Sequence, residues 1–438
     1  MAGASADAKR SAWRRVWPGS AVAVGLALTV TAGTISSRAD KGLRTGGPTV
    51  TLAFTTPGHV AVARIDLLPN GGRRETVLRE WSRSVDGPPD VYAWSSDGRY
   101  LLRAPFGAGD ILLYDSALSS ISRASASRVD GFGAQWVAGV DRLAYTTFTS
   151  ARGSSQLDKQ LFRTESVRGR TSALWPRRQS SSGSGVQEGW PTRFYPDPAR
   201  TEEANDTRAW SPPVYFVRKA GALIYESSYP SCDDGATERC KWAVRDIRTG
   251  RLRLLPFDTG TRLAVSPGGT LAGTIGPRIL VGSVGGGRLD PVAKSGYDPA
   301  WSPDGQWLYY VTSRRLATLR FRMQEYCGGP SLCWAHIASP VSRESIWRVR
   351  PDGSGREFVS SLTAFALANL EVDDRGAAVF DVVPTDRALW MHRHEPLAAP
   401  VASKYVPTIG IEMARRGRRP RVLVADAHQP AVRPATNR

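Results

Sequence analysis

The stretch Asp298-Pro299-Ala300-Trp301-Ser302-Pro303-Asp304-Gly305-Gln306-Trp307-Leu308-Tyr309-Tyr310 decides the fold. It reads as an apolar segment ending in Trp301, a polar turn through Asp304 and Gly305, and an alternating apolar strand. Asp-Gly suits that turn, which needs a residue at positive φ, and glycine takes it without steric cost. The same outline occurs earlier as Tyr92-Ala93-Trp94-Ser95-Ser96-Asp97-Gly98-Arg99-Tyr100-Leu101-Leu102, with Trp94, Asp97 and Gly98 in the matching places. Weaker copies follow the outline. Ala264-Val265-Ser266-Pro267-Gly268-Gly269 keeps the Ser-Pro and the glycine, Glu371-Val372-Asp373-Asp374-Arg375-Gly376 keeps the Asp and Gly, and Gln135-Trp136 keeps the tryptophan.

A second signature comes after most copies: a short strand, a turn and another strand. Examples are Asp110-Ile111-Leu112-Leu113-Tyr114-Asp115, Lys241-Trp242-Ala243-Val244-Arg245-Asp246-Ile247-Arg248-Thr249-Gly250, and Ser345-Ile346-Trp347-Arg348-Val349-Arg350-Pro351-Asp352-Gly353. Together the two signatures spell one four-stranded blade, repeated at a minimum spacing of about 40 residues. The sequence therefore predicts an all-β protein, a β-propeller. Units begin near residues 50, 90, 131, 212, 261, 297 and 364, so seven blades are expected. Six is the alternative, if the first and last units fuse. The first unit lacks an innermost strand, which 401–412 or 421–424 would supply to close the ring.

The Trp-Ser-Pro-Asp-Gly turn, with the downstream strand and Asp-x-x-Thr-Gly element, resembles the repeats of TolB-like propellers, which are cousins of the WD-type repeat. The resemblance covers roughly residues 50–400. It implies a bacterial exported protein, and the Arg-rich composition is similar to that of actinobacterial members.

The chain has 438 residues, 41% hydrophobic and 22% charged, with 43 Gly, 30 Pro and 14 Trp. This is a globular, turn-rich composition, and it excludes a coiled coil, a collagen and a polytopic membrane protein. The net charge is +18, carried by 51 Arg against 7 Lys. Nucleic-acid binders cluster their basic residues. Here the arginines are spread over every segment, so no specific nucleic acid is expected. The one dense cluster, Arg415-Arg416-Gly417-Arg418-Arg419-Pro420-Arg421, reads as part of a solvated basic tail over 406–438, with a closing strand in that segment as the alternative.

Lys9, Arg10, Arg14 and Arg15 precede an uncharged run from Ala21 to Ile35. That order matches a secretory signal or a single signal-anchor helix over residues 1–40, with the propeller, 48–405, on the outer side. The expected address is the cell membrane with an extracellular C-terminal domain, or secretion if the signal is cleaved. The four cysteines form two close pairs, Cys232 with Cys240 and Cys327 with Cys333. Neither spacing is that of a zinc site. In an oxidising compartment they read as two local disulfides, one of them stapling a loop over 314–343. A second insertion, 177–210, is Ser-, Gly- and Pro-rich and reads as a loop.

Chemistry is sparse. There is no nucleophile elbow, no phosphate-cradling loop and no clustered metal ligands, so no catalytic residue, metal or cofactor is assigned. Trp94 and Trp301 read as packing residues, and Asp97 and Asp304 as turn-holding ones. His392 and His394 share one strand face without a third ligand. The function expected is a monomeric, non-catalytic binding or scaffolding module at the cell envelope, holding an envelope protein through its insertions. The competing class is a propeller enzyme that acts on glycans or small molecules through acids in the central channel.

Overall fold

The computed structural model describes residues 48–56, 59–70, 72–82, 91–104, 111–121, 131–137, 140–150, 157–167, 171–175, 215–227, 241–258, 262–326, 332–384, 410–425 and 427–434. All belong to the unit Gly46–Arg438. They are almost wholly strand, and the single helical element is one 3-10 turn, Arg218–Ala220.

Seven blades are laid down in chain order. Blade one holds β1 (Thr49–Thr56), β2 (His59–Leu67) and β3 (Arg73–Ser82). Blade two holds β4 (Val91–Trp94), β5 (Leu101–Ala104) and β6 (Leu112–Tyr114). Blade three holds β7 (Gly131–Trp136), β8 (Arg142–Ser150), β9 (Leu157–Ser166) and β10 (Thr171–Trp175). Blade four holds β11 (Tyr215–Val217), β12 (Ala222–Ser227), β13 (Lys241–Asp246) and β14 (Leu252–Asp258). Blade five holds β15 (Ala264–Val265), β16 (Thr270–Ile275), β17 (Arg278–Ser283) and β18 (Asp290–Ala293). The glycine-rich 284–289 is the bend between β17 and β18.

Blades six and seven share a strand. One seven-stranded sheet runs β19 (Tyr297–Trp301), β20 (Leu308–Tyr326), β21 (Leu332–Val349), β22 (Glu357–Val372), β23 (Ala378–Pro384), β24 (Gly410–Ala414) and β25 (Arg421–Val424). The first half of β22 pairs with β21 as the outer strand of blade six. Its second half pairs with β23 as the inner strand of blade seven. The ring is closed by β26 (His428–Val432), which pairs antiparallel with β1 as the missing innermost strand of blade one.

This corrects the expected boundaries. Residues 410–432 hold three propeller strands, and the closing strand falls within the expected 406–438 segment, at His428–Val432, rather than at 401–412 or 421–424. The arginine cluster is the β24–β25 turn. There Gly417 has φ +69°, its N–H bonds Val359 O, and Arg416 pairs with Glu357 at 3.2 Å. The insertion 314–343 is likewise no loop: β20 and β21, 19 and 18 residues long, pair along their whole length.

The packing follows from strand alternation. Successive side chains point to opposite faces, so a blade between two neighbours must be apolar on both. In β2, Val60 and Val62 join the core shared with blade two, whereas Ala61, Ala63 and Ile65 join the core shared with blade seven. Every one of the seven interfaces between adjacent blades has its own cluster of this kind.

The expected helix over Ala21–Ile35 lies outside the described residues, as do Cys232, Cys240, Cys327 and the 177–210 insertion. Among the described residues no helix is long and apolar enough to cross a membrane. Cys333 lies in β21 opposite Glu325.

Candidate functional site in the central channel

The repeat residues sit in the turns that join first and second strands. Ser95 Oγ donates to Asp97 Oδ1 (2.7 Å), which also accepts from Arg99 N (3.0 Å), and Gly98 has φ +67°. Asp304 accepts from Ser302 Oγ and Gln306 N, and Gly305 has φ +69°. Asp373 does the same for Arg375 N and Ala377 N. These carboxylates satisfy backbone donors that a tight turn would leave open. Trp136 and Trp301 each close a gap between blades. Trp136 donates its indole N–H to Ala93 O of blade two (2.8 Å), and Trp301 donates to Ala264 O of blade five (3.3 Å).

The channel wall is built by the innermost strands. In three consecutive blades that strand carries one non-glycine residue in the left-handed region: Asp298 (φ +49°), Asn369 (φ +54°) and Gln429 (φ +57°). Each marks a bulge where the register of the pair slips. The offset is the same in every case, as Asp298-Pro299-Ala300-Trp301, Asn369-Leu370-Glu371-Val372 and Gln429-Pro430-Ala431-Val432 show. Bulges re-aim side chains, and non-glycine residues held at positive φ are strain that the surrounding structure must hold in place.

A polar network holds them. Arg262, just before β15, donates to Asp298 Oδ1 (3.1 Å) and to Glu371 Oε1 (2.8 Å). Asp298 Oδ2 accepts the bulge amide of Leu370 (2.7 Å). Asp381, on β23, accepts from Asn369 Nδ2 (2.7 Å) and from the bulge amide of Gln429 (2.9 Å) through Oδ2, while its buried Oδ1 has no hydrogen-bond partner. The chain of contacts thus runs from blade five through six and seven to blade one.

The electrostatics differ along it. Asp381 is 5% exposed, and burial pushes its carboxyl up to about 7, against the pull of its two hydrogen bonds. Burial also raises Glu371, with Arg262 opposing. Glu371 and Arg262 keep 41% and 32% of their side-chain surface, so water reaches the pair. Both oxygens of Asp298 are engaged, so this carboxylate braces the wall. Among the described residues no group of three acids, histidines or cysteines is placed to hold a metal. His392 and His394 lie outside the described residues.

Sequence reasoning did not gather these acids, because Asp298, Glu371 and Asp381 come from different strands of two blades. The signal that marks Asp298, and with it Asn369 and Gln429, is the shared offset: a polar residue three positions before the tryptophan or its counterpart.

No family model matches the chain, and no curated protein matches it. Solved structures give distant likenesses. A functionally unknown protein from Desulfotomaculum acetoxidans DSM 771 is 10% identical with a TM-score of 0.45, over 88% of this chain and 99% of that one. A structure assigned as TolB, from Agrobacterium tumefaciens, is 13% identical with a TM-score of 0.34, over 88% and 99%. The tricorn protease is 11% identical with a TM-score of 0.30 over 84% of this chain, which spans only 30% of that protein. The seven-bladed ring is read from the strand pairing above and owes nothing to these likenesses.

Proposed function

We propose that this chain is a monomeric, non-catalytic binding or scaffolding module at the outer face of a bacterial envelope, exported or anchored through residues 1–40, and that the blade-six arm holds an envelope protein. The observation that carries the reading is the arm itself. Blade six is complete where β21 pairs with β22, at Ser342–Arg348, yet β20 and β21 continue as a two-stranded ribbon over 317–326 and 332–341. At ~3.3 Å per residue that ribbon is about 33 Å long. Its register sets Leu319, Phe321 and Met323 opposite Ser339, Ile337 and Ala335, and sets Arg320 and Arg322 opposite Ala338 and His336. An isolated two-stranded hairpin is marginal in water and gains from a partner.

The channel acids favour the enzyme reading only weakly. A glycosidase needs two free carboxyl groups facing each other across the substrate, one protonated and one ionised. Here Asp298 and Glu371 share Arg262, and Asp381 is closed in behind Asn369.

The test is a pull-down from mildly solubilised membranes of the native host, with a C-terminal tag, using the intact chain and a variant in which a short glycine turn replaces 317–341. A stoichiometric envelope protein with the intact chain, lost from the shortened one, is the expected result. Identical eluates, or bait alone from both, overturn the reading. The intact mass of the bait reports whether it begins at residue 1 or near Asp40.

A further inference from the structure

Beyond the arm, the ring carries a cavity of about 460 Å³ at the ends of the innermost strands of blades three, four and five. Its origin lies in the repeat. The last inner-strand position before the turn is tryptophan in blades two, three and six: Trp94, Trp136 and Trp301 pair with Leu101, Leu143 and Leu308. In blade five the same position is valine, Val265 pairing with Leu271, and the turn there, 266–270, is one residue shorter than 95–100, 137–142 and 302–307. In blade four the position is Phe216, which pairs with Leu223 across 217–222 and packs with it toward blade three, while Val217 and Ala222 pack toward blade five. Blade four thus has a phenyl ring, and blade five a valine and a shorter turn, where the repeat has an indole, and Phe216, Val217 and Val265 line the void beside Trp136.

The same valine recurs in blades seven and one, as Val372 and Val432, but there other groups bridge the neighbouring blades. Tyr309 of blade six donates its phenol O–H to Gly376 O in the blade-seven turn (3.0 Å). Arg433 lies over the Trp94 ring (4.9 Å) and donates to Gly98 O (2.8 Å). At blades four and five the bridge, Tyr215 donating its phenol O–H to Leu263 O (3.2 Å), is itself a wall of the cavity.

The lining points to a ligand class. Trp136, Tyr215 and Phe216 are the aromatic walls, Arg218 and Lys219 stand exposed on the 3-10 turn, and no acid is among the described lining residues. Apolar and aromatic walls with a few charged groups, in a volume between about 300 and 1,000 Å³, are the usual make-up of a small-molecule site. Guanidinium and ammonium groups beside aromatic faces select a planar ring that carries a negative charge. We infer that the space left by the missing tryptophans of blades four and five is a binding site for a planar aromatic carboxylate.

The test uses indole-3-acetate as probe on the full-length chain, with neutral 3-methylindole and cationic tryptamine for comparison, read by titration calorimetry. Saturable binding of indole-3-acetate at or below about 1 mM is expected, tighter than tryptamine by about tenfold or more. Val265→Trp and Phe216→Trp, which restore the repeat residue, should abolish binding of both indole-3-acetate and 3-methylindole. Arg218→Ala with Lys219→Ala, both on exposed positions and safe for folding, should weaken indole-3-acetate about tenfold and leave 3-methylindole unchanged. No saturable binding at about 1 mM, equal affinity for the anion and the cation, or an unchanged anion affinity in the double-alanine variant overturns the inference. So does binding that survives both tryptophan variants. None of these readouts depends on the arm or its partner.

Discussion

Asp381 shows how the closed ring loads a single residue. Its Oδ2 must remain an acceptor, because both partners, Asn369 Nδ2 and Gln429 N, are donors. Its buried Oδ1 has no hydrogen-bond partner among the described residues, so a proton there relieves an uncompensated buried charge. The folded carboxyl sits at about 7 against an ordinary value of 3.8. A group raised in the folded state binds its proton more tightly there, so its stabilisation is full below about pH 4 and is lost as pH rises through 7. Burial also raises Glu344, Glu371 and Asp373, which slope the same way. Asp381→Asn keeps an acceptor for both donors and removes the charge. Thermal melts at pH 5 and pH 8 should show the native chain losing more midpoint than Asp381→Asn over that interval. Equal losses would mean that Asp381 is ionised throughout. None of this was legible from Asp381 in the sequence, where it stands in a plain apolar strand, Val379-Phe380-Asp381-Val382. Only the bulges of two neighbouring strands make it special.

At the scale of elements, the repeat turns were legible and the departures from them were not. Trp301 through Gly305 announces a strand, a turn and a strand by local chemistry alone, and each blade begins close to where that outline predicts. The arm reads as a loop in the sequence because 314–343 breaks the repeat period and carries the close pair Cys327 and Cys333 at its middle. The alternation that makes it a ribbon shows only once the two strands are set in register. β26 escaped notice because His428-Gln429-Pro430-Ala431-Val432 is short, holds a proline and bulges at Gln429. Proline is tolerated there because the bulge leaves no ladder bond for its absent N–H to make. The arm yields a stability prediction independent of any partner. Blade six keeps its Ser313–Glu344 and Tyr297–Glu344 hydrogen bonds, 2.9 Å each, when 317–341 is replaced by a short turn. The shortened chain should melt within about 3 °C of the intact one, since the pairing of β21 with β22 that completes blade six runs over Ser342–Arg348 and is kept. A larger loss would show that the ribbon packs back on the ring.

The whole molecule is a cycle of seven interfaces, and its stability depends on the one that local sequence does not make. Blades two to seven are each built from neighbouring stretches of chain, whereas blade one is completed from the far terminus. β26 delivers Ala431 to the core shared with blade two and packs Val432 against the core shared with blade seven. Arg433 N bonds Thr51 O, and its side chain reaches across to Trp94 and Gly98. The bulge amide of Gln429 also closes the polar network, so this strand joins the apolar and polar seams at once. Ending the chain at Asp426 would strip one edge of β1 and expose the apolar inner faces of blades one and seven. Each buried aliphatic side chain lost costs about 1.5–3 kcal/mol and each hydrogen bond about 1 kcal/mol, so the total is about 5 kcal/mol or more. The expected result is a midpoint lowered by about 10 °C and protease cleavage within blade one, with the other six blades unfolding later. Ending the chain at Pro434 instead should leave the midpoint unchanged. A synthetic peptide spanning 427–434, added to the shorter chain, should restore it by donating the strand to the open edge of β1. If the chain ending at Asp426 melts like the intact one, the ring is held by its six sequential interfaces alone, and the closing strand contributes alignment of the channel wall rather than stability.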